Sequence, residues 1–154
     1  KNTKEVINEI NKHARIRNCE IIIPEDCKVG LEFNGKGKYK QLNEIQKNEM
    51  ILDIGKRTIE VICNKIDESS TVLWNGPAGY FENKEFKSGT MSIAKKISNN
   101  TKSKSLISVL GGGDTLSAIN KSNEKLSFTH LSTAGGAFLE YLEGKDLPGL
   151  SVLK

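Results

Sequence analysis

"SVLGGGDTLSAI", residues 108–119, decides how this chain is to be folded. The apolar run through Val109 and Leu110 stops at Gly111, Gly112 and Gly113. Asp114 and Thr115 follow, and Leu116, Ala118 and Ile119 open a helix-periodic segment. A strand passing through glycines into a helix is the basic joint of a parallel α/β sheet. Glycines there have one of two causes: a tight turn, or close approach of something bulky to a backbone without Cβ. The helix start also exposes unpaired N–H groups, and its dipole favours negative charge, so a phosphate suits the position. Thr115 adds a hydroxyl donor. Asp114 would repel a bare phosphate unless a divalent cation lies between them, as Mg²⁺ does on nucleotide phosphates, often through one carboxylate. The alternative is that Asp114 or Thr115 merely caps a helix after a turn.

Two further stretches share the pattern. "LWNGPAGYFE", residues 73–82, turns through Asn75, Gly76, Pro77 and Gly79 and then presents Tyr80, Phe81 and Glu82. Apolar groups beside a carboxylate suit a base and a ribose; a structured turn with Glu82 in solvent is the other option. "LSTAGGAF", residues 131–138, again opens a helix on glycines, Gly135 and Gly136, after Ser132 and Thr133. It reads as a second anion site or as close helix–strand packing. In a parallel sheet all carboxyl ends lie on one edge, where ligands bind, so the three loops are expected on one rim.

The remaining elements follow from apolar spacing. A helix is expected over about 3–16 through Val6, Ile7, Ile10 and Ala14, with strands at "CEIIIP" (19–24) and "KVGLEF" (28–33). The polar 34–49 segment reads as an exposed excursion. "MILDIG" (50–55) leads into a helix through Ile59, Ile62, Cys63 and Ile66. Beyond it come a strand at "TVLW", a helix over 84–99, a strand at "SLISVL", a helix over 114–121, a strand at "FTHLS" and a helix over 136–143. This is an α/β fold, part of a doubly wound, Rossmann-like parallel sheet with helices on both faces.

Composition narrows the function. The chain has 154 residues, 27% charged, with net charge +4. The lysines are dispersed and not interleaved with aromatics, which argues against a nucleic-acid partner. No apolar run approaches the roughly 18 residues of a membrane span. Cys19, Cys27 and Cys63 are odd in number and lack metal spacing, as expected of buried or free thiols in a reducing compartment. There is no Walker loop, and Leu116 stands where a dinucleotide fingerprint needs its third glycine. His13 and His130 have no evident catalytic partner.

"MILDIG", "VLWNGPAGYFE", "LGGGDT" and "HLSTAGGAFLEYLEGKDLPG", in that order and spacing, resemble the C-terminal, nucleotide-binding lobe of the phosphoglycerate kinase family. The likeness covers nearly all of residues 1–154. It implies phosphoryl transfer between 1,3-bisphosphoglycerate and ADP, giving 3-phosphoglycerate and ATP with Mg²⁺, by a monomeric glycolytic enzyme. Carried over residue by residue, Asn75, Gly76, Pro77 and Tyr80 would line the nucleoside pocket, with Glu82 on the ribose. Gly112, Gly113, Asp114 and Thr115 would meet the phosphates, Asp114 also the metal. Gly135 and Gly136 would face the transferring group. The chain departs from the family at Ile51, where many members have glycine near the adenine, at Lys56 instead of proline, and at Ala134 instead of a third glycine. The family's phosphoglycerate-binding lobe and the opening strands of its nucleotide lobe have no counterpart here. The expectation is therefore a piece of a longer enzyme or a truncated product, inactive by itself. The alternative classes are a stand-alone nucleotide-binding module and a nucleotide-independent interaction domain.

Overall fold

Asn2 and Glu5 cap each other's backbone at the first helix, α1 (Thr3–Ile16), as an Asn-x-x-Glu spacing allows. The structure, a computed structural model, describes residues 2–153. The expected apolar face of α1 is present but uncovered: Val6, Ile7 and Ile10 are exposed and no residue of the helix is buried.

The "CEIIIP" strand does not form. Residues 19–24 belong to no strand, and Ile21, Ile22 and Ile23 are exposed. Three β-branched residues favour extended backbone, but a strand also needs a neighbour for its N–H and C=O groups. Among the described residues none pairs with this stretch. Pairing starts instead at β1 (Asp26–Gly30), two residues ahead of the expected "KVGLEF". The 34–49 excursion contains a short strand, β2 (Lys38–Gln41), and β3 is Met50–Ile54. These three form an antiparallel sheet in the order β2-β1-β3. The Lys-rich sequence of β2 suits its place at the edge, where charge discourages further pairing.

The second half follows the expected alternation. After α2 (Lys56–Asp67) come β4 (Thr71–Asn75), α3 (Ser88–Lys102), β5 (Ile107–Gly111), α4 (Gly113–Asn120), β6 (His130–Ser132), α5 (Gly135–Leu142) and the short α6 (Pro148–Ser151). The helix expected over 84–99 is split: a 3-10 turn at Lys84–Phe86 precedes α3. Strands β4, β5 and β6 lie parallel in that order, which makes the fold α/β and Rossmann-like. One face of this sheet carries the core, Trp74 and Leu110 packed with Ile66, Ile93, Ala94, Ile97 and Leu106. On the opposite face Phe138 of α5 lies over Gly111, while Leu73 and Ile107 remain 45% and 55% exposed.

Two buried carboxylates close helix starts from neighbouring strands. Gly55, at the head of α2, has no side chain with which to cap it. Asp26 of β1 takes that role, accepting from the N–H groups of Arg57 (3.0 Å) and Thr58 (2.9 Å) and from the Thr58 hydroxyl (2.7 Å). A Cβ on Gly55 would run into that carboxylate, so the glycine is required by close approach. In the same way Asp53 of β3 accepts from Gly89 N–H (2.9 Å) near the start of α3.

The two acids titrate in opposite senses. Burial pushes Asp26 up, but hydrogen bonds from Thr58 and Arg57 outweigh it and hold the carboxyl below its ordinary value. For Asp53 burial wins over the Gly89 and Ile54 N–H groups, and its value is raised. Asp26 therefore stabilises the fold above its unfolded value, about 3.9, and that contribution is lost as pH falls through the lower folded value. Asp53 instead takes up its proton earlier in the folded state, relieving part of its burial cost as pH falls through the raised value. Asp26→Ala, which takes the acceptor from the Arg57 and Thr58 N–H groups at the head of α2 and removes the shorter of the Thr58 hydroxyl's two bonds, should cost about 2–4 kcal/mol at pH 7. Chemical denaturation repeated at falling pH should show the gap from wild type shrinking below about pH 4.

Candidate functional site

The carboxyl ends of the three parallel strands lie side by side. Asn75 of β4 is in register with Gly111 of β5, and Gly111 with Ser132 of β6. The loops at 75–82, 111–115 and 132–136 therefore share one edge, as their sequences predict.

Helix starts on this edge differ from those of α2 and α3. α2 and α3 begin against Asp26 and Asp53, whereas α4 and α5 have no side-chain cap on Gly112 or Ala134. A Cβ on Gly113, Gly135 or Gly136 would meet nothing within 4 Å, so both starts face open space. The first three N–H groups of α4, on Gly113, Asp114 and Thr115, have no intrahelical acceptor by helix geometry. Gly112 sits at φ +90°, a conformation L side chains resist, and the Asn75 amide lies against it. Asp114 stands exposed on the first turn of α4. Among the described residues no cluster of three or more His, Cys, Asp or Glu could hold a metal ion. Asp114 is thus a carboxylate on the first turn of an anion-favouring helix start.

Thr115 is not placed as a simple surface donor. Its side chain is fully buried, and its Oγ1 accepts from Gly76 N–H at 2.7 Å, tying the first loop to α4. The indole N–H of Trp74 donates to the Gly76 carbonyl (2.7 Å). Thr90 Oγ1 accepts from Ala78 N–H (3.0 Å) and Gly79 N–H (3.3 Å), and Tyr80 N–H donates to Leu52 O (2.7 Å). Pro77 is half-buried within this fastened turn. Beyond it the rings of Tyr80 and Phe33 sit 5.0 Å apart. Glu82 is exposed and joins Phe81, Met91 and Ala118 around a cavity of about 170 Å³.

Thr90, Phe33 and Asn83 (which bonds the Phe33 backbone) are site neighbours that the sequence does not announce. Thr90 sits within a helix, and Phe33 follows a strand 47 residues before Tyr80. Only the "GT" of Gly89–Thr90 at a helix start hints at a buried hydroxyl. Of the departures from the family pattern, Ile51 is 58% exposed on β3, Lys56 opens α2 with its ammonium over the Tyr39 ring, and Ala134 precedes α5.

Parallel strands that deliver uncapped, glycine-started helices to one edge make this an open α/β sheet of the Rossmann-like class, in which the carboxyl edge is the usual place for a ligand. The family model described as phosphoglycerate kinase matches residues 1–145. The chain is 43% identical over 148 residues to the phosphoglycerate kinase of Xanthobacter autotrophicus, covering 95% of this chain and 37% of that protein. With that of Rhodopseudomonas palustris it is 47% identical over 143 residues, 92% of this chain and 36% of the relative. The solved phosphoglycerate kinase of Coxiella burnetii superposes with a TM-score of 0.86 at 35% identity, over 97% of this chain and 38% of that one. That of Pyrococcus horikoshii gives 0.74 at 33% identity, over 97% and 37%. The chain belongs to the phosphoglycerate kinase family, and it spans little more than a third of the length of these relatives.

Proposed function

We propose that this chain is the nucleotide-binding part of a phosphoglycerate kinase. The complete enzyme passes a phosphoryl group between 1,3-bisphosphoglycerate and ADP, forming 3-phosphoglycerate and ATP in cytoplasmic glycolysis. One observation carries the reading. Two helix starts lie side by side on the carboxyl edge with open N–H groups and the exposed Asp114 carboxylate, while α2 and α3 start against buried acids.

In this reading the N–H groups of Gly113, Asp114 and Thr115 receive the nucleotide phosphates, and the bare backbone of Gly112 admits them. Gly135 and Gly136 face the transferring group from the next helix. Asn75, Gly76, Pro77 and Tyr80 shape the nucleoside side, and Glu82 accepts from the ribose hydroxyls. A single exposed carboxylate suits Mg²⁺ shared with phosphate oxygens. Asp114 would hold the ion, whose chemistry is to neutralise charge on the transferring group. The phosphoglycerate substrate binds through parts of the longer protein outside these residues.

Glu82→Gln tests the nucleoside side. It removes the anionic acceptor but keeps the shape, so ADP should bind about tenfold more weakly while pyrophosphate binding stays unchanged. Calorimetric titration of both ligands with Mg²⁺ measures this. Equal weakening of the two would assign Glu82 to the general field or the fold. No Mg²⁺-dependent ADP binding by the wild type would favour an interaction domain instead.

A further inference from the structure

The loop after β1, residues 31–37, is fastened to the loop that carries Tyr80 and Glu82. The Asn83 side-chain amide donates to Phe33 O (2.8 Å) and Gly35 O (3.3 Å), and its own carbonyl oxygen accepts from Glu85 N–H (3.0 Å). Two residues on, the Glu85 carboxylate accepts from Gly37 N–H (3.4 Å) and pairs with Lys28 at 3.5 Å. The Lys28 ammonium also donates to the Glu85 carbonyl. Asn83 is half-buried, and Phe33 is 51% exposed with its ring against Tyr80. Beneath them the buried Phe86 ring lies against Gly37, while nearer the surface these polar joints and the Phe33–Tyr80 ring contact hold the two loops, with the Asn83 amide fastening the Phe33 backbone itself.

We propose that Asn83 is a positioning residue for the nucleoside side of the site, setting Tyr80 and Glu82 by holding the Phe33–Gly35 backbone to their loop. The proposal rests on the nucleotide-binding reading above. Asn83 touches no ligand in it. Without the amide, the 31–37 loop loses two carbonyl partners and the Phe33 ring loses its fixed distance from Tyr80. Glu82, the residue just before Asn83, would then sample more positions. The phosphate end is tied down separately through Thr115 and Gly76, so it is insulated from this change.

Asn83→Asp is the informative variant. It keeps the acceptor for Glu85 N–H and the side-chain size, but turns the donor toward Phe33 O and Gly35 O into an oxygen. Asn83→Ala removes both functions. Binding of Mg-ADP and of Mg-pyrophosphate is measured by calorimetry on the longest native polypeptide carrying this sequence. The proximity of the Phe33 and Tyr80 rings is followed by NMR, through cross-relaxation between their protons. The expected result for Asn83→Asp is about tenfold weaker ADP binding, unchanged pyrophosphate binding and disappearance of the ring-to-ring cross-peaks. Unchanged ADP affinity in a variant whose two rings have separated would overturn the positioning role. Parallel weakening of ADP and pyrophosphate would also overturn it, by making Asn83 a general structural residue. A wild type that binds neither ligand would sink the nucleotide reading itself, whatever the variants do.

Discussion

Expressed alone, residues 1–154 will show no measurable ATP formation from 1,3-bisphosphoglycerate and ADP, and will self-associate. Phosphoryl transfer depends mainly on positioning and charge stabilisation, and in the proposed reading the rim of glycine-bearing loops supplies only the nucleotide side. Losing the groups that hold the second substrate in line can remove roughly 7–11 kcal/mol of barrier lowering, enough to erase turnover. Association follows from uncovered apolar surface. Val6, Ile7 and Ile10 line an unburied helix, Ile21, Ile22 and Ile23 lie in an unpaired stretch, and Leu73 and Ile107 project from a sheet face. Among the described residues β4 and β6 are each paired on one side only, leaving backbone donors and acceptors at both edges. Light scattering and a coupled ATP assay measure the two properties. Adding the complementary part of a relative as a separate chain should reduce association and restore activity. A monomer with full turnover would show that these 154 residues already hold both substrate sites.

Asp114→Ala in the full-length enzyme should lower the Mg²⁺-dependent rate by about 10²–10³-fold, a size typical of losing one charge-stabilising group at a reacting centre. Its melting temperature should hardly move. Asp114 is exposed on the first turn of α4, where a favourable dipole interaction is worth only about 0.3–1 kcal/mol. Asp26→Ala supplies the contrast, because that carboxylate is buried and closes a helix start. If Asp114→Ala is as active as wild type, the metal is held elsewhere. If it instead melts well below wild type with a normal rate per folded molecule, Asp114 is a helix cap.

Much of the site is legible in the chain because its signals are local. Glycine followed by Asp-Thr marks a strand-to-helix joint wherever it occurs, and parallel strand order alone sends such joints to one edge. Register places Asn75, Gly111 and Ser132 in one row there. The sequence is equally informative about α1, where apolar spacing gives the observed limits.

What misleads in the chain depends on partners distant in sequence. "CEIIIP" has strand propensity without a neighbouring strand, so no ladder forms and its isoleucines stay exposed. The polar 38–41 stretch lacks that propensity, yet it becomes β2 because β1 offers it an open edge. The Thr115 oxygen also accepts from Gly76 N–H across 39 residues, a tie that no local pattern in the chain announces.

The sequence by itself determined the α/β class, the family, and the three glycine-bearing loops, because each rests on residue types within a few positions of one another. Only the tertiary structure decided which helix starts stay open. Asp26 and Asp53 are ordinary acids in the chain, and they become caps when β1 and β3 bring them to the heads of α2 and α3. At α4 and α5 no side chain makes the cap hydrogen bond, so their first-turn N–H groups stay open. Capping is a contact at about 3 Å, and contacts at that range between residues tens of positions apart are set by the packing of the sheet.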